Sequence, residues 1–277
     1  MSVSVWQAVV LGAVQGLTEF LPVSSTAHLA LVQHFLPGFR QPGILFDVML
    51  HVGTLAAVVV HFRTRLLGTF RGLFASGAER ARAAKLVLLL LLAVACTGAV
   101  TLPLKKLAVE GMTDFRRMGG ALAAMSLLLF VVQRTVRSRG ETGRTLEEAG
   151  WLDAVLVGGL QSVSAVFHGF SRSGNTIAVG LFRGLSPRAA AELSFLLSIP
   201  TILAAAAVEN LHALRETPEA FTTDGALPAY AAGMLVAGLV GYVAVALLFR
   251  LVVSLRLTPF VVYCGALGLL LLAAPPG

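Results

Sequence analysis

The sequence predicts an all-α, polytopic integral membrane protein: six transmembrane helices and two re-entrant helical hairpins arranged as an inverted-topology repeat. Three observations carry this. Apolar runs approach the ~20 residues that cross a bilayer. Two similar short polar segments interrupt otherwise oily stretches. Arginine clusters recur between the apolar runs. Of the 277 residues, 57% are hydrophobic and 13% charged. A soluble domain carries roughly a quarter charged residues, so the deficit points to lipid as the solvent. The net charge of +7 sits between the apolar runs, which suits topology and anionic headgroups rather than nucleic acid. Cys96 and Cys264 lie inside apolar runs and show neither metal spacing nor a disulfide framework. The N-terminus lacks a basic leader and a small-residue cleavage site, and is expected to be mature structure.

In chain order, Val3–Leu21 is apolar but ends in Glu19 and the break at Pro22, and the following 26–36 stretch is too short to cross. A helix, a polar turn and a short helix make a re-entrant hairpin, tolerated at membrane depth only inside protein or against water. Spans are predicted over Ile44–Phe62, Lys85–Leu104 and Met118–Gln133. The grammar then returns: Trp151–Phe167, the turn "HGFSRSGNT" and the stub Ile177–Phe182, followed by spans over 189–210, 227–249 and 257–274. One ungapped overlay puts Ala8 on Ala154, Gly12 on Gly158, Gln15 on Gln161 and Ser25 on Ser171. The chain is thus expected to be one membrane domain, 1–277, with repeats near 1–134 and 151–277 joined by a basic loop, 135–150. Three spans per half require the second half to insert from the opposite side.

Basic residues set the orientation. Segment 63–84 carries Arg63, Arg65, Arg71, Arg80 and Arg82 against Glu79, and segment 134–150 is likewise arginine-rich. Placing these inside leaves 37–43, 105–116 and 210–226 outside. Segment 210–226, with Glu216, Glu219 and Asp224, agrees; 105–116, with Lys105 and Lys106, agrees less well. Arg183 and Arg188 read as topology and lipid contacts. In this arrangement the two polar tips meet inside the bilayer.

The first tip offers Glu19, Ser24, Ser25, Thr26 and His28; the second offers His168, Ser171, Arg172, Ser173, Asn175 and Thr176. A charge at the bilayer centre costs roughly 2.5–3.5 kcal/mol on insertion scales, so Glu19 and Arg172 call for each other or for water. The chemistry indicated is oxyanion handling. Arg172 supplies a planar fork for phosphate or carboxylate, and hydroxyls and helix N-terminal amides add donors. Glu19 and His28 can move a proton. Ser25 is the best nucleophile candidate, or else it orients the phosphate while Glu19 or His28 activates water. Glu19 can also hold a divalent cation. Each polar residue has a plainer reading. Ser24, Ser162 and Ser164 equally suit backbone bonding, His51 suits packing or a cavity wall, and Asp47 and Glu192 suit helix starts.

"GLTEFLPVSSTAHL" and "GFSRSGNT" resemble the two signature regions of the bacterial undecaprenyl-diphosphate phosphatases, also called bacitracin-resistance proteins. The resemblance extends over nearly the whole chain, through "FDVMLHVGTLAAVVVHF" and "AAAELSFLLSIP". It implies hydrolysis of undecaprenyl diphosphate to the monophosphate, which recycles the carrier lipid for peptidoglycan synthesis. It implies a plasma (inner) membrane location, a site toward the external face and a requirement for a divalent cation, Mg²⁺ or Ca²⁺. By motif, Glu19, Ser25, Thr26 and His28 take the roles of the first signature, and Ser171 and Arg172 those of the second. The family's first signature opens with Glu or Gln four residues before the essential acid. Here that residue is Gln15, which leaves Glu19 as the sole anionic ligand, with Gln15 and its overlay partner Gln161 in support. Many members carry Pro where this chain has His168, either a neutral spacer or an added proton donor. The competing reading is a lipid-phosphate flippase or secondary transporter, which needs the same anion cradle but neither nucleophile nor base. The expected partners are the polyprenyl diphosphate and membrane lipids, not nucleic acid; a homo-oligomer stays open.

Overall fold

The computed structural model describes residues 3–40, 44–111, 114–137, 140, 142–216 and 227–276. Twelve helices are present among them: α1 (Val5–Thr18), α2 (Ser25–Phe35), α3 (Ile44–His61), α4 (Arg63–Leu73), α5 (Gly77–Thr101), α6 (Lys105–Glu110), α7 (Phe115–Val136), α8 (Trp151–Val166), α9 (Arg172–Phe182), α10 (Pro187–Glu216), α11 (Leu227–Val253) and α12 (Thr258–Ala273).

Both hairpins form as short helix pairs. Helix α1 starts in a capping box, the Ser4 hydroxyl accepting from the Gln7 amide while the Gln7 side chain accepts from the Ser4 amide. Its 14 residues span about 21 Å, short of a ~30 Å hydrocarbon core. Helix α8 starts on Asp153, whose carboxylate accepts from the Gly150 amide at 2.9 Å. That carboxylate also binds Arg144 at 2.9 Å and Arg183 at 2.8 Å. This fastens the basic loop to the base of the second hairpin, and gives Arg183 a structural role in place of the topological one expected.

Among the described residues four helices are long and apolar enough to cross a membrane, α5, α7, the 187–208 part of α10, and α11, or five if the bent pair α3–α4 is one span. The other two predicted spans depart from expectation. Helix α3 turns by 74° into α4, so the segment taken as a basic loop begins as a helix. Helix α12 has 16 residues, about 24 Å. Helix α10 continues through Glu216, beyond the loop boundary predicted at 210. Residues 217–226, which carry Glu219 and Asp224, lie outside the described residues.

Small residues set the packing that positions the tips. A side chain on Gly12 or Gly16 of α1 would run into the α11 backbone at Gly233 or Ala237. A side chain on Gly158 of α8 would likewise run into Ala93 of α5. Thr97 reinforces the second contact, its hydroxyl lying 2.8 Å from the Gly158 carbonyl oxygen and accepting from Gln161 at 2.9 Å. In lipid there is no hydrophobic drive between helices, so such backbone approach and buried hydrogen bonding supply the association. Helices α7 and α12 meet in the same way at Gly119 and Gly268. Beneath the first tip, Phe20 is fully buried against Phe195, ring centroids 5.8 Å apart.

Candidate active site

The helix-breaking stretch at Pro22 folds the first tip back so that Ser25, the first residue of α2, faces the last turn of α1. The Ser25 hydroxyl donates to Glu19 Oε2 at 2.6 Å, and the Gln15 amide donates to the same oxygen at 3.0 Å. Ser24, which caps this turn, has φ of 69°, a left-handed conformation uncommon outside glycine. That twist turns its carbonyl onto His28 Nδ1 (2.7 Å) and brings its hydroxyl to 3.1 Å from that of Thr26.

The second tip is built on Gly169, whose φ of 108° and contact with the Met118 backbone exclude a side chain. Ser171 caps α9, accepting from the Gly174 amide at 3.2 Å. The Ser171 and Ser173 hydroxyls donate across the interface to the Leu21 carbonyl, at 3.2 and 3.1 Å. In return the Gly169 amide donates to the Ser24 hydroxyl at 3.2 Å. The two tips therefore interlock through their backbones, and this places the guanidinium of Arg172, the first residue of α9, on Glu19 Oε1.

The result is one buried carboxylate held by three donors: Arg172, Ser25 and Gln15. Glu19 is buried; Arg172 and Ser25 are partly exposed and Thr26 is exposed. An approaching anion would meet a cation and hydroxyls first, with the carboxylate behind them. His51, read from the sequence as packing or cavity wall, also faces this carboxylate, Nε2 lying 3.8 Å from Glu19 Oε2. Its Nδ1 is held by the Asp47 carbonyl at 2.8 Å. Nothing in the span "FDVMLHVGT" distinguishes such a histidine from a packing one.

Other predicted site residues stand apart from the carboxylate. Both His28 nitrogens are engaged, Nδ1 by Ser24 and Nε2 by the Tyr263 hydroxyl at 2.6 Å, and neither bonds Glu19 or Ser25. Because a carbonyl only accepts, Nδ1 carries the proton; in the neutral ring Tyr263 then donates to Nε2. The Asn175 amide donates to the Leu160 carbonyl, and Thr176 pairs with Ser194 at 2.6 Å. Both side chains join α9 to its neighbours. Gln161 bonds Thr97 and Thr201 within the α5–α8 contact and its reach toward α10. His168 is buried beside Gly111, its Nδ1 without a hydrogen-bond partner among the described residues.

The sequence model of the family described as "Bacitracin resistance protein BacA" matches residues 8–270. The chain belongs to this family. Among curated relatives, the "Undecaprenyl-diphosphatase" of Syntrophotalea carbinolica is 41% identical over 261 residues, covering 94% of this chain and 95% of the relative. That of Myxococcus xanthus is 38% identical, covering 97% and 88%. The "Undecaprenyl-diphosphatase 2" of Stutzerimonas stutzeri is 38% identical, covering 96% of each. In this BacA-family chain the matched region contains both tips and every residue that binds Glu19.

The donor set fits a divalent cation held in part by its phosphate substrate. Among the described residues no three His, Cys, Asp or Glu side chains gather as a metal cage. Mg²⁺, however, is commonly held by one or two carboxylates plus substrate phosphates and water. Glu19 meets that requirement, and beside it Gln15 Oε1 is buried and accepts no hydrogen bond among the described residues.

Proposed function

We propose that this membrane protein hydrolyses undecaprenyl diphosphate to undecaprenyl phosphate and inorganic phosphate, with the two tips as its active site. The observation that carries the site assignment is the Arg172–Glu19–Ser25 cluster, drawn from segments far apart in sequence. The hydrolytic activity is the one named for its relatives.

The terminal phosphate takes the Arg172 fork, with the Thr26 and Ser25 hydroxyls beside it. Glu19, freed from Arg172, accepts the Ser25 proton through the hydrogen bond already in place. Ser25 Oγ attacks the terminal phosphorus; an Oγ–P bond forms, the bridging P–O bond breaks, and undecaprenyl phosphate leaves. Glu19 passes that proton to the departing undecaprenyl phosphate; water then attacks the phosphoserine phosphorus, its proton moving by way of Glu19 to Ser25 Oγ as the Oγ–P bond breaks and inorganic phosphate leaves. Catalysis of phosphoryl transfer rests on positioning and charge stabilisation, and every group named is held by at least one other. His28, engaged by Ser24 and Tyr263, orders the start of α2 and does not act as base on Ser25. A bound Mg²⁺ or Ca²⁺, held by Glu19 and the Gln15 amide oxygen, would neutralise charge on the diphosphate.

The six spans and the inverted repeat belong to the same proposal. Support comes from Gly12 and Gly158, which coincide in the overlay and each pack on a helix of the other half, α11 and α5. With arginine-rich segments inside, the site faces the external side.

Purified protein in detergent, where no gradient exists, separates hydrolysis from transport. Inorganic phosphate released from a polyprenyl diphosphate, and lost in Ser25→Ala and Arg172→Ala, is the expected result. Full activity in both variants would contradict the site.

A further inference from the structure

A second polar cleft lies away from the tips. It is a cavity of about 500 Å³ between the end of α3, α4, the start of α10 and the end of α11, with His61, Thr64, Arg65, Thr69, Arg188 and Phe249 on its walls. His61 is ten residues beyond His51 on α3, about 15 Å along the axis, so this cleft is separate from the Glu19 site.

Glu192 also lines the cleft and lies beside Arg65, but the remaining donors are free among the described residues. Arg188 lies over the Phe249 ring, 5.7 Å from the centroid, and has no carboxylate within ion-pair distance among the described residues. Arg65 binds Glu147 at 2.5 Å, and its buried Nε makes no hydrogen bond although Glu192 is 3.4 Å away. The Thr64 and Thr69 hydroxyls have no partner among the described residues. Those of Thr97, Thr135 and Thr201 in other helices bond back to carbonyls four residues earlier. Gly68 keeps the wall open, since a side chain there would meet nothing within 4 Å.

The helix that carries these donors is amphipathic. Leu67, Phe70 and Phe74 are 52%, 60% and 78% exposed and share one face. Arg65 and Thr69 line the cleft. The 74° turn after α3 lays α4 across the direction of the span. A helix so placed, with its apolar face in acyl chains, sits at headgroup depth. Two arginines and two free hydroxyls at that depth match a phosphate with an acyl tail. A soluble anion would have no use for the adjoining apolar face.

We infer that this cleft is a binding site for the phosphate headgroup of an anionic phospholipid. Arg188 supplies the guanidinium fork, Thr64, Thr69 and the Arg65 Nε supply further donors, and the lipid's chains run beside Phe249.

The test is lipid retention by native mass spectrometry after the purified full chain is exchanged into nanodiscs of phosphatidylglycerol with phosphatidylcholine. The wild type is expected to retain phosphatidylglycerol preferentially. Arg188→Gln, which removes one charge-assisted contact, is expected to lower that retention roughly tenfold. Gly68→Leu, which fills the cleft and leaves every charge in place, should lower it similarly. Phosphate release should stay at the wild-type rate in both, which also shows that both fold. Equal retention of the two lipids, or unchanged retention in both variants, overturns the proposal. Displacement of the lipid by millimolar inorganic phosphate would also overturn it, by making this a free-phosphate site.

Discussion

The two tips coincide in the sequence overlay, yet their side chains turn to different tasks. Ser25 and Ser171 occupy the same position. Ser25 donates to a carboxylate, while Ser171 donates to the Leu21 backbone and caps α9. Opposite Glu19 the second copy has Ala165, and opposite Arg172 the first has Thr26. One tip thus contributes a carboxylate and the serine hydroxyl bonded to it, the other a cation and the hydrogen bonds that hold the pair together. Neither is a site alone. Because the two tips meet at the same spot, each needs only half the chemistry.

This division of labour can be broken most severely at the first tip. Ser25→Ala and Glu19→Gln are each expected to lower kcat by roughly 10³-fold or more, Ser25→Ala with the unfolding midpoint unchanged and Glu19→Gln with a lower one, because Arg172 loses its buried partner. Ser171→Ala is expected to lower kcat by less than about tenfold. Its main effect is a loss of about 1 kcal/mol of stability through the α9 cap, read by thermal unfolding. Equal kinetic damage at both serines would erase the distinction. Next in size is the cation. Chelation by EDTA is expected to abolish phosphate release, and Mg²⁺ or Ca²⁺ to restore it. Gln15→Glu, which adds a second carboxylate beside Glu19, should lower the half-saturating Mg²⁺ concentration roughly tenfold, since ligand charge tunes such affinities.

Smaller effects separate scaffold from chemistry. Gly12→Val and Gly158→Val, the overlay-equivalent pair, should each cost about 1–3 kcal/mol of stability by overpacking a backbone contact. If only one is damaging, the halves do not pack equivalently. Tyr263→Phe removes the donor to His28 and is expected to lower kcat only a few-fold. A loss as large as that of Ser25→Ala would give His28 a direct part in the reaction.

Much of this was legible in the sequence because lipid makes polar residues expensive. Glu19 and Arg172 stood out against apolar flanks, and the only nearby compensation for each was the other. The overlay of Gly12 on Gly158 marked two of the glycines that approach a neighbouring backbone. Other features carry no such signal. Thr176 and Asn175 look like phosphate donors by type and neighbourhood, but a hydroxyl in an apolar helix is as readily satisfied by Ser194, and an amide by the Leu160 carbonyl. His51 and Tyr263 reach the tips only through the packing of α3 and α12. The turn between α3 and α4 follows a run of apolar residues with no proline or glycine at the bend, so hydropathy alone reads it as a span ending in a loop.

A double-mutant cycle on Glu19 and Arg172, with phosphate release from a polyprenyl diphosphate as the readout, addresses the joint site most directly. If the two tips act as one unit, the Glu19→Gln/Arg172→Ala double variant loses scarcely more activity than the worse single variant. Losses that multiply, as for two independent groups, would contradict it.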